Sequence, residues 1–196
     1  MYISDSLATL LSEMETDAKR ITESTRDKWL QPRSLHPDAA KLLNLLAKAT
    51  GAKRMLEIGT SVGYSTIHLA LAAEETGGHL TTLELMPAKY ETAKANLLRA
   101  GLSDVVTQHL GDALLIIPTL PGPYDLVFLD PEKELYEQAW NHFSDKVRVG
   151  GVVIADNLTS HADDLSGYVA MIQNDARYET VTVPIGLGLE ISYRRR

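Results

Sequence analysis

The spacing of apolar residues changes at about residue 54. Before it, Ile3, Leu7, Leu10, Leu11, Met14, Ala18 and Ile21 fall on one stripe at helical spacing. That stripe predicts a helix within residues 3–28. Pro32 and Pro37 then interrupt the chain. Pro37 suits the first turn of a second helix running to about Ala49, with Leu42, Leu43, Leu45 and Leu46 inside and Gly51 as its stop. From residue 54 onward, short apolar runs alternate with helical segments. The runs at 54–58, 79–84, 105–110, 124–129 and 151–155 read as strands, and 65–73, 88–100, 113–117 and 134–147 as the helices between them. Nearly continuous apolar strands joined by helices predict a parallel sheet covered on both faces. After a helix near 165–174 the pattern shifts again. Strands at 179–183 and 189–193 are joined only by Pro184-Ile185-Gly186-Leu187-Gly188, too short for a helical crossover, so this pair must be antiparallel. The expected fold is a doubly wound, Rossmann-like α/β domain spanning residues 1–196. Five parallel strands and a C-terminal hairpin form its core (51–196), behind an N-terminal helical extension (1–50).

Composition narrows the classes of function. No apolar run approaches the roughly 20 residues needed to cross a bilayer, and the opening Met1-Tyr2-Ile3-Ser4-Asp5 lacks the basic and apolar stretches of a secretory signal. The chain has no cysteine, which excludes disulfides, thiolate metal sites and cysteine nucleophiles. A cytoplasmic location is the expectation. The net charge of −7 argues against a large nucleic-acid footprint, although a positive patch assembled by the fold would restore one. The one tight basic cluster, Arg194-Arg195-Arg196, sits at the C-terminus.

Ligands of doubly wound sheets bind at the carboxyl ends of the strands. The first strand ends in Leu56-Glu57-Ile58-Gly59-Thr60-Ser61-Val62-Gly63-Tyr64-Ser65. Gly59 and Gly63 allow a sharp turn close to a ligand, but they do not have the G-x-G-x-x-G spacing of a dinucleotide site. Glu84, at the end of the second strand, can accept hydrogen bonds from two ribose hydroxyls, or stand as a surface acid. Asp112, in Gly111-Asp112-Ala113, can receive an adenine amino group, cap the next helix, or do both. The fourth strand ends in Leu129-Asp130-Pro131-Glu132-Lys133 and the fifth in Ala155-Asp156-Asn157. Two carboxylates and an amide oxygen from neighbouring strand ends suit Mg²⁺. The other reading makes Asp130 a cofactor contact and Asp156-Asn157 a turn pair.

Glu57-Ile58-Gly59-Thr60-Ser61-Val62-Gly63, then Glu84, then Gly111-Asp112-Ala113 resemble the class I S-adenosylmethionine-dependent methyltransferases, over nearly the whole chain. The resemblance implies that the methionine part of the cofactor lies along the glycine loop. Glu84 would hold the ribose, Asp112 and Ala113 would flank the adenine, and Glu57, Gly59, Ser61, Gly63, Ser65 and Asp130 would complete the cofactor set. Asp-x-x-Lys at Asp130–Lys133 and the pair Asp156-Asn157 further resemble the metal-dependent O-methyltransferases of the catechol and caffeoyl-coenzyme A type. Leu56–Thr60, Gly63-Tyr64-Ser65 and Tyr136 fit its bacterial branch. That likeness implies Asp130, Asp156 and Asn157 as ligands of Mg²⁺ or another divalent cation, and Lys133 as the base beside the acceptor hydroxyl. The chain departs from the branch at Pro131 and Glu132, and in the short polar stretch Leu158-Thr159-Ser160-His161-Ala162-Asp163-Asp164, where His161 reads either as a pocket-lining residue or as a solvated loop histidine. Glu132 and Glu134 are the local partners expected if Lys133 is only a salt-bridged surface residue.

The expected activity is methyl transfer from S-adenosylmethionine to a hydroxyl of a small, catechol-like acceptor. The alternatives are methylation of a modified tRNA base, a metal-independent small-molecule methyltransferase, and a non-catalytic cofactor-binding module. The N-terminal helices could serve as a homodimer interface, a lid or both.

Overall fold

A computed structural model of the chain describes residues 4–27 and 29–195. Helix α1 (Asp5–Ser24) opens at Ser4, whose hydroxyl accepts from the Leu7 amide at 3.3 Å, an N-cap bond. Its stripe buries Leu7, Leu10, Leu11 and Met14. The helix stops at Ser24 rather than continuing toward residue 28, because no apolar position after Ile21 extends the stripe. Ile3 and Lys28, included in the predicted helix, lie outside the described residues. Helix α2 (Pro37–Ala49) begins at the expected proline and buries Ala39, Ala40, Leu43, Asn44 and Ala47. Leu45, expected inside, is exposed, since it falls opposite that stripe.

The central sheet has the order β3-β2-β1-β4-β5-β7-β6. Strands β1 (Arg54–Ile58), β2 (His79–Glu84), β3 (Val106–Leu110), β4 (Tyr124–Leu129) and β5 (Val147–Ala155) are parallel. Strand β7 (Leu189–Arg194) pairs antiparallel with β5 and with β6 (Tyr178–Val183), as the short connection demanded. Strand β5 starts four residues before its predicted limit, and helix α6 (Tyr136–Phe143) is correspondingly shorter. Val147 pairs with Tyr124, the register then slips, and Leu126 pairs with Val152. Arg148 and Asp125 form an ion pair across this irregularity, at 2.5 Å. Val105, predicted to begin the third strand, lies in a helical turn just before it.

Alternation along β1 feeds two cores. Met55 joins a cluster with α1, α2 and α3 (Tyr64–Thr76) on one face. Leu56 and Ile58 join a cluster with α6 and α7 (Ser166–Gln173) on the other. The chain winds outward from β1 to β3 and resumes at β4 on the other side of β1. The crevice between the ends of β1 and β4 is therefore the topological switch point. Among the described residues, no helix is long and apolar enough to cross a membrane.

Candidate active site

A cavity of about 420 Å³ opens at that switch point. Gly59, Ser61, Ser65, Glu84, Asp112, Ala113, Asp130, Asp156 and Asn157, all expected at the site, line it. The fold thus gathers the ends of five strands around one space.

Two expected cofactor residues, Glu57 and Gly63, stand behind the wall instead. Glu57 is fully buried. Its carboxylate accepts hydrogen bonds from Ser65, Thr66 and Thr82, each at 2.6 Å. The side chain points to the α3 face because β1 alternates, and it anchors the start of α3 beneath the loop. Burial pushes its carboxyl up to about 7. Gly63 precedes α3 with φ +88°, packed against Ala93 of helix α4 (Pro87–Ala100). Glu84 reaches the glycine loop as expected: its carboxylate accepts from the amides of Ser61 (2.7 Å) and Met86 (2.8 Å). Ser61 adopts φ +50°, a conformation uncommon outside glycine. Asp112 caps helix α5 (Ala113–Ile116) through the Leu114 amide (2.8 Å) and also borders the cavity. Both of its readings fit that placement.

At the other end of the cavity, β4 and β5 deliver Asp130, Asp156 and Asn157. Asn157, at φ +72°, turns back so that its amide donates to Asp130 at 2.6 Å. Asp156 is 3% exposed, and its Oδ1 has no hydrogen-bond partner. Burial and then the charge of Asp130 push the Asp156 carboxyl up to about 7, and burial raises Asp130 as well. The ammonium of Lys133, whose side chain is 9% exposed, lies 3.6 Å from Asp130. It is therefore not a surface lysine paired to Glu132 or Glu134. Burial lowers its pKa, against the opposing pull of Asp130. Tyr136 props the group from below. Its hydroxyl donates to the Asp156 main-chain oxygen at 3.1 Å, and its ring lies 5.3 Å from Lys133 Nζ.

Sequence reasoning did not foresee the roof. Residues 29–35, between α1 and α2, cross the cavity and contribute Trp29, Gln31, Arg33, Ser34 and Leu35 to its lining. Ser61 Oγ donates to the Pro32 oxygen, and Arg33 ion-pairs with Glu132. The strap thus holds both the cofactor loop and the Asp130 loop. Lys89 of α4 was also missed, as was Leu187 from the hairpin turn. Their place at the cavity follows from how distant segments meet, so only the tertiary fold reveals it. His161 borders the cavity too, because its loop is tied to the hairpin turn by the amides of Leu158 and Thr159 (2.9 Å each).

A family model described as O-methyltransferase matches residues 9–195. A catechol O-methyltransferase of Niastella koreensis is 37% identical over 161 residues, covering 80% of this chain and 71% of that protein. A catechol O-methyltransferase of Mycobacterium tuberculosis is 46% identical over 120 residues, covering 60% of this chain and 54% of that one. Among solved structures, an O-methyltransferase of Streptomyces achromogenes involved in tomaymycin synthesis, in complex with SAM, superposes with a TM-score of 0.82 at 27% identity. That match covers 100% of this chain and 92% of the other. The chain belongs to the O-methyltransferase family of S-adenosylmethionine-dependent enzymes.

Proposed function

We propose that the chain transfers the methyl group of S-adenosylmethionine to one hydroxyl of a small vicinal diol, such as a catechol, with a divalent ion held by Asp130, Asp156 and Asn157. The observation that carries this reading is the unpartnered Oδ1 of Asp156, buried beside a second carboxylate at the cavity end. A buried carboxylate oxygen with no donor is costly, and two neighbouring carboxylates repel. A cation relieves both. Among the described residues, no group of three or more His, Cys, Asp or Glu side chains could hold a metal ion. The proposed donor set is instead two carboxylates and an amide, hard oxygen ligands of the kind Mg²⁺ takes alongside water or substrate oxygens. The Asn157 amide would turn its oxygen inward to join them.

The remaining chemistry belongs to the chain. Glu84 and the glycine loop hold the cofactor, and the strap shields it from water. A bound divalent ion would supply a lowered pKa for the acceptor hydroxyl and a fixed oxygen direction. Lys133, whose burial favours the neutral amine, takes the hydroxyl proton at Nζ. The acceptor oxygen forms its bond to the methyl carbon as the carbon–sulfur bond breaks, and the electron pair returns to sulfur. The leaving group is a neutral thioether, so no acid is needed.

Calorimetric titration with S-adenosylhomocysteine tests the cofactor half. Glu84→Ala should weaken binding at least tenfold, because charge-assisted hydrogen bonds are worth about 1.5–3 kcal/mol each. Unchanged affinity would remove Glu84 from the ribose.

A further inference from the structure

Lys89 is partly buried and lines the cofactor cavity. It has no hydrogen bond or ion pair with any described residue. Three carboxylates, Glu84, Glu132 and Asp130, lie within its electrostatic reach, yet each is engaged elsewhere. Glu84 accepts from the Ser61 and Met86 amides. Glu132 pairs with Arg33, and Asp130 meets Asn157 and Lys133.

The position is also unfavourable for a cation on helix grounds. Lys89 sits in the first turn of α4, where Met86 gives no side-chain cap and no acidic residue is present. The positive end of the helix dipole repels an ammonium there and attracts an anion. Burial lowers the lysine's pKa, and Arg33 across the cavity adds to the effect. Glu84, Glu132 and Asp130 offset this charge only through space, without a hydrogen bond or ion pair to Lys89, whereas an anion in the cavity would contact it directly.

We infer that Lys89 is an anion-binding residue of the active site and grips a carboxylate of the bound ligand. The inference rests on the proposed cofactor and acceptor reading. Two carboxylates could reach it: that of the cofactor's amino-acid end, or one carried by an acidic acceptor. Both would form the same charge-assisted hydrogen bond to Nζ.

Calorimetry on the full chain and on Lys89→Met separates them. The first pair of ligands is S-adenosylhomocysteine and its decarboxylated analogue. The second is 3,4-dihydroxybenzoate and catechol, titrated into protein loaded with S-adenosylhomocysteine and Mg²⁺. A contact to the cofactor carboxylate should reduce the preference for S-adenosylhomocysteine over its analogue by about tenfold or more. A contact to the acceptor should instead reduce the preference for the dihydroxybenzoate by a similar factor. Lys89→Arg should restore most of whichever preference is lost. Without ligand, Lys89→Met should unfold at the same temperature as the parent or higher, which a merely structural lysine would not allow. If both preferences survive in Lys89→Met while the parent binds S-adenosylhomocysteine, the inference is wrong and the cofactor reading stands. If the parent binds no S-adenosylhomocysteine, both fall.

Discussion

A Cβ built on Gly59 would lie 2.3 Å from the main-chain oxygen of Asp130. The turn that begins the cofactor loop is therefore pressed directly onto the strand end that carries the carboxylate at the other end of the cavity. Gly59 also has φ +99°, which side chains rarely adopt. Gly59→Ala must push the two strand ends apart. It should destabilise the fold by roughly 2–5 kcal/mol, taking overpacking and backbone strain together, and it should weaken S-adenosylhomocysteine binding. Thermal unfolding with and without the ligand reads both effects. A variant with parental stability and affinity would mean that the loop and β4 are not held in this contact.

His68 and Glu57 should give opposite pH dependences. His68 is buried with neither ring nitrogen hydrogen-bonded, and burial holds its pKa down at about 4. Between that value and the unfolded one of about 6.5, the unfolded chain binds the proton and the native chain does not. The stability that this neutral histidine allows is complete above pH 6.5 and is lost as pH falls toward 4, by on the order of 3 kcal/mol. His68→Leu should flatten that acid-side loss in urea unfolding series. An unchanged slope would place a proton acceptor or water beside the ring.

For Glu57 the sign reverses. Its folded pKa is raised to about 7, so between about pH 4.5 and 7 the native state holds a proton that the unfolded state has released. Stability then falls as pH rises through that window, by on the order of 3 kcal/mol. Glu57→Gln should remove this contribution and gain relative to the parent above pH 7. A constant difference across pH 4.5–8 would show that the three hydroxyl donors keep the carboxylate ionised throughout.

Lys133→Ala should leave S-adenosylhomocysteine affinity intact, since the ammonium contacts Asp130 and Tyr136 rather than the glycine loop. Turnover should fall by about 10²–10⁴-fold, the range for loss of a general base. Retention of more than a tenth of the parental kcat would reduce Lys133 to a counter-ion for Asp130.

Much of this architecture was legible because its signals are local. Continuous apolar runs marked the strands, and the short Pro184–Gly188 link made the last pair antiparallel. Strand ends then placed Glu84, Asp112, Asp130, Asp156 and Asn157 on one edge without tertiary information. The start of β5 was missed because the apolar run is continuous only from Gly151, whereas an Arg148–Asp125 ion pair and a register slip carry the strand through Arg148 and Gly150. Glu57 was read as a cofactor contact because its place in the motif is fixed, but strand alternation turns it toward α3. The strap and Lys89 were invisible because their roles arise only where distant segments meet. Arg33 and Glu132 are 99 residues apart in sequence.

The decisive measurement is methyl transfer to a catechol acceptor after exhaustive chelation, followed by Mg²⁺ titration, with S-adenosylhomocysteine affinity measured on the same samples. Asp130, Asp156 and Asn157 follow β4 and β5, on the other side of β1 from Glu84 at the end of β2, so chelation should abolish turnover while leaving cofactor affinity nearly unchanged. Added Mg²⁺ should restore the rate in the parent but not in Asp156→Ala. Full activity in the chelated enzyme would contradict this account. Asp130 would then be a cofactor contact and Asp156-Asn157 a turn pair at the end of β5.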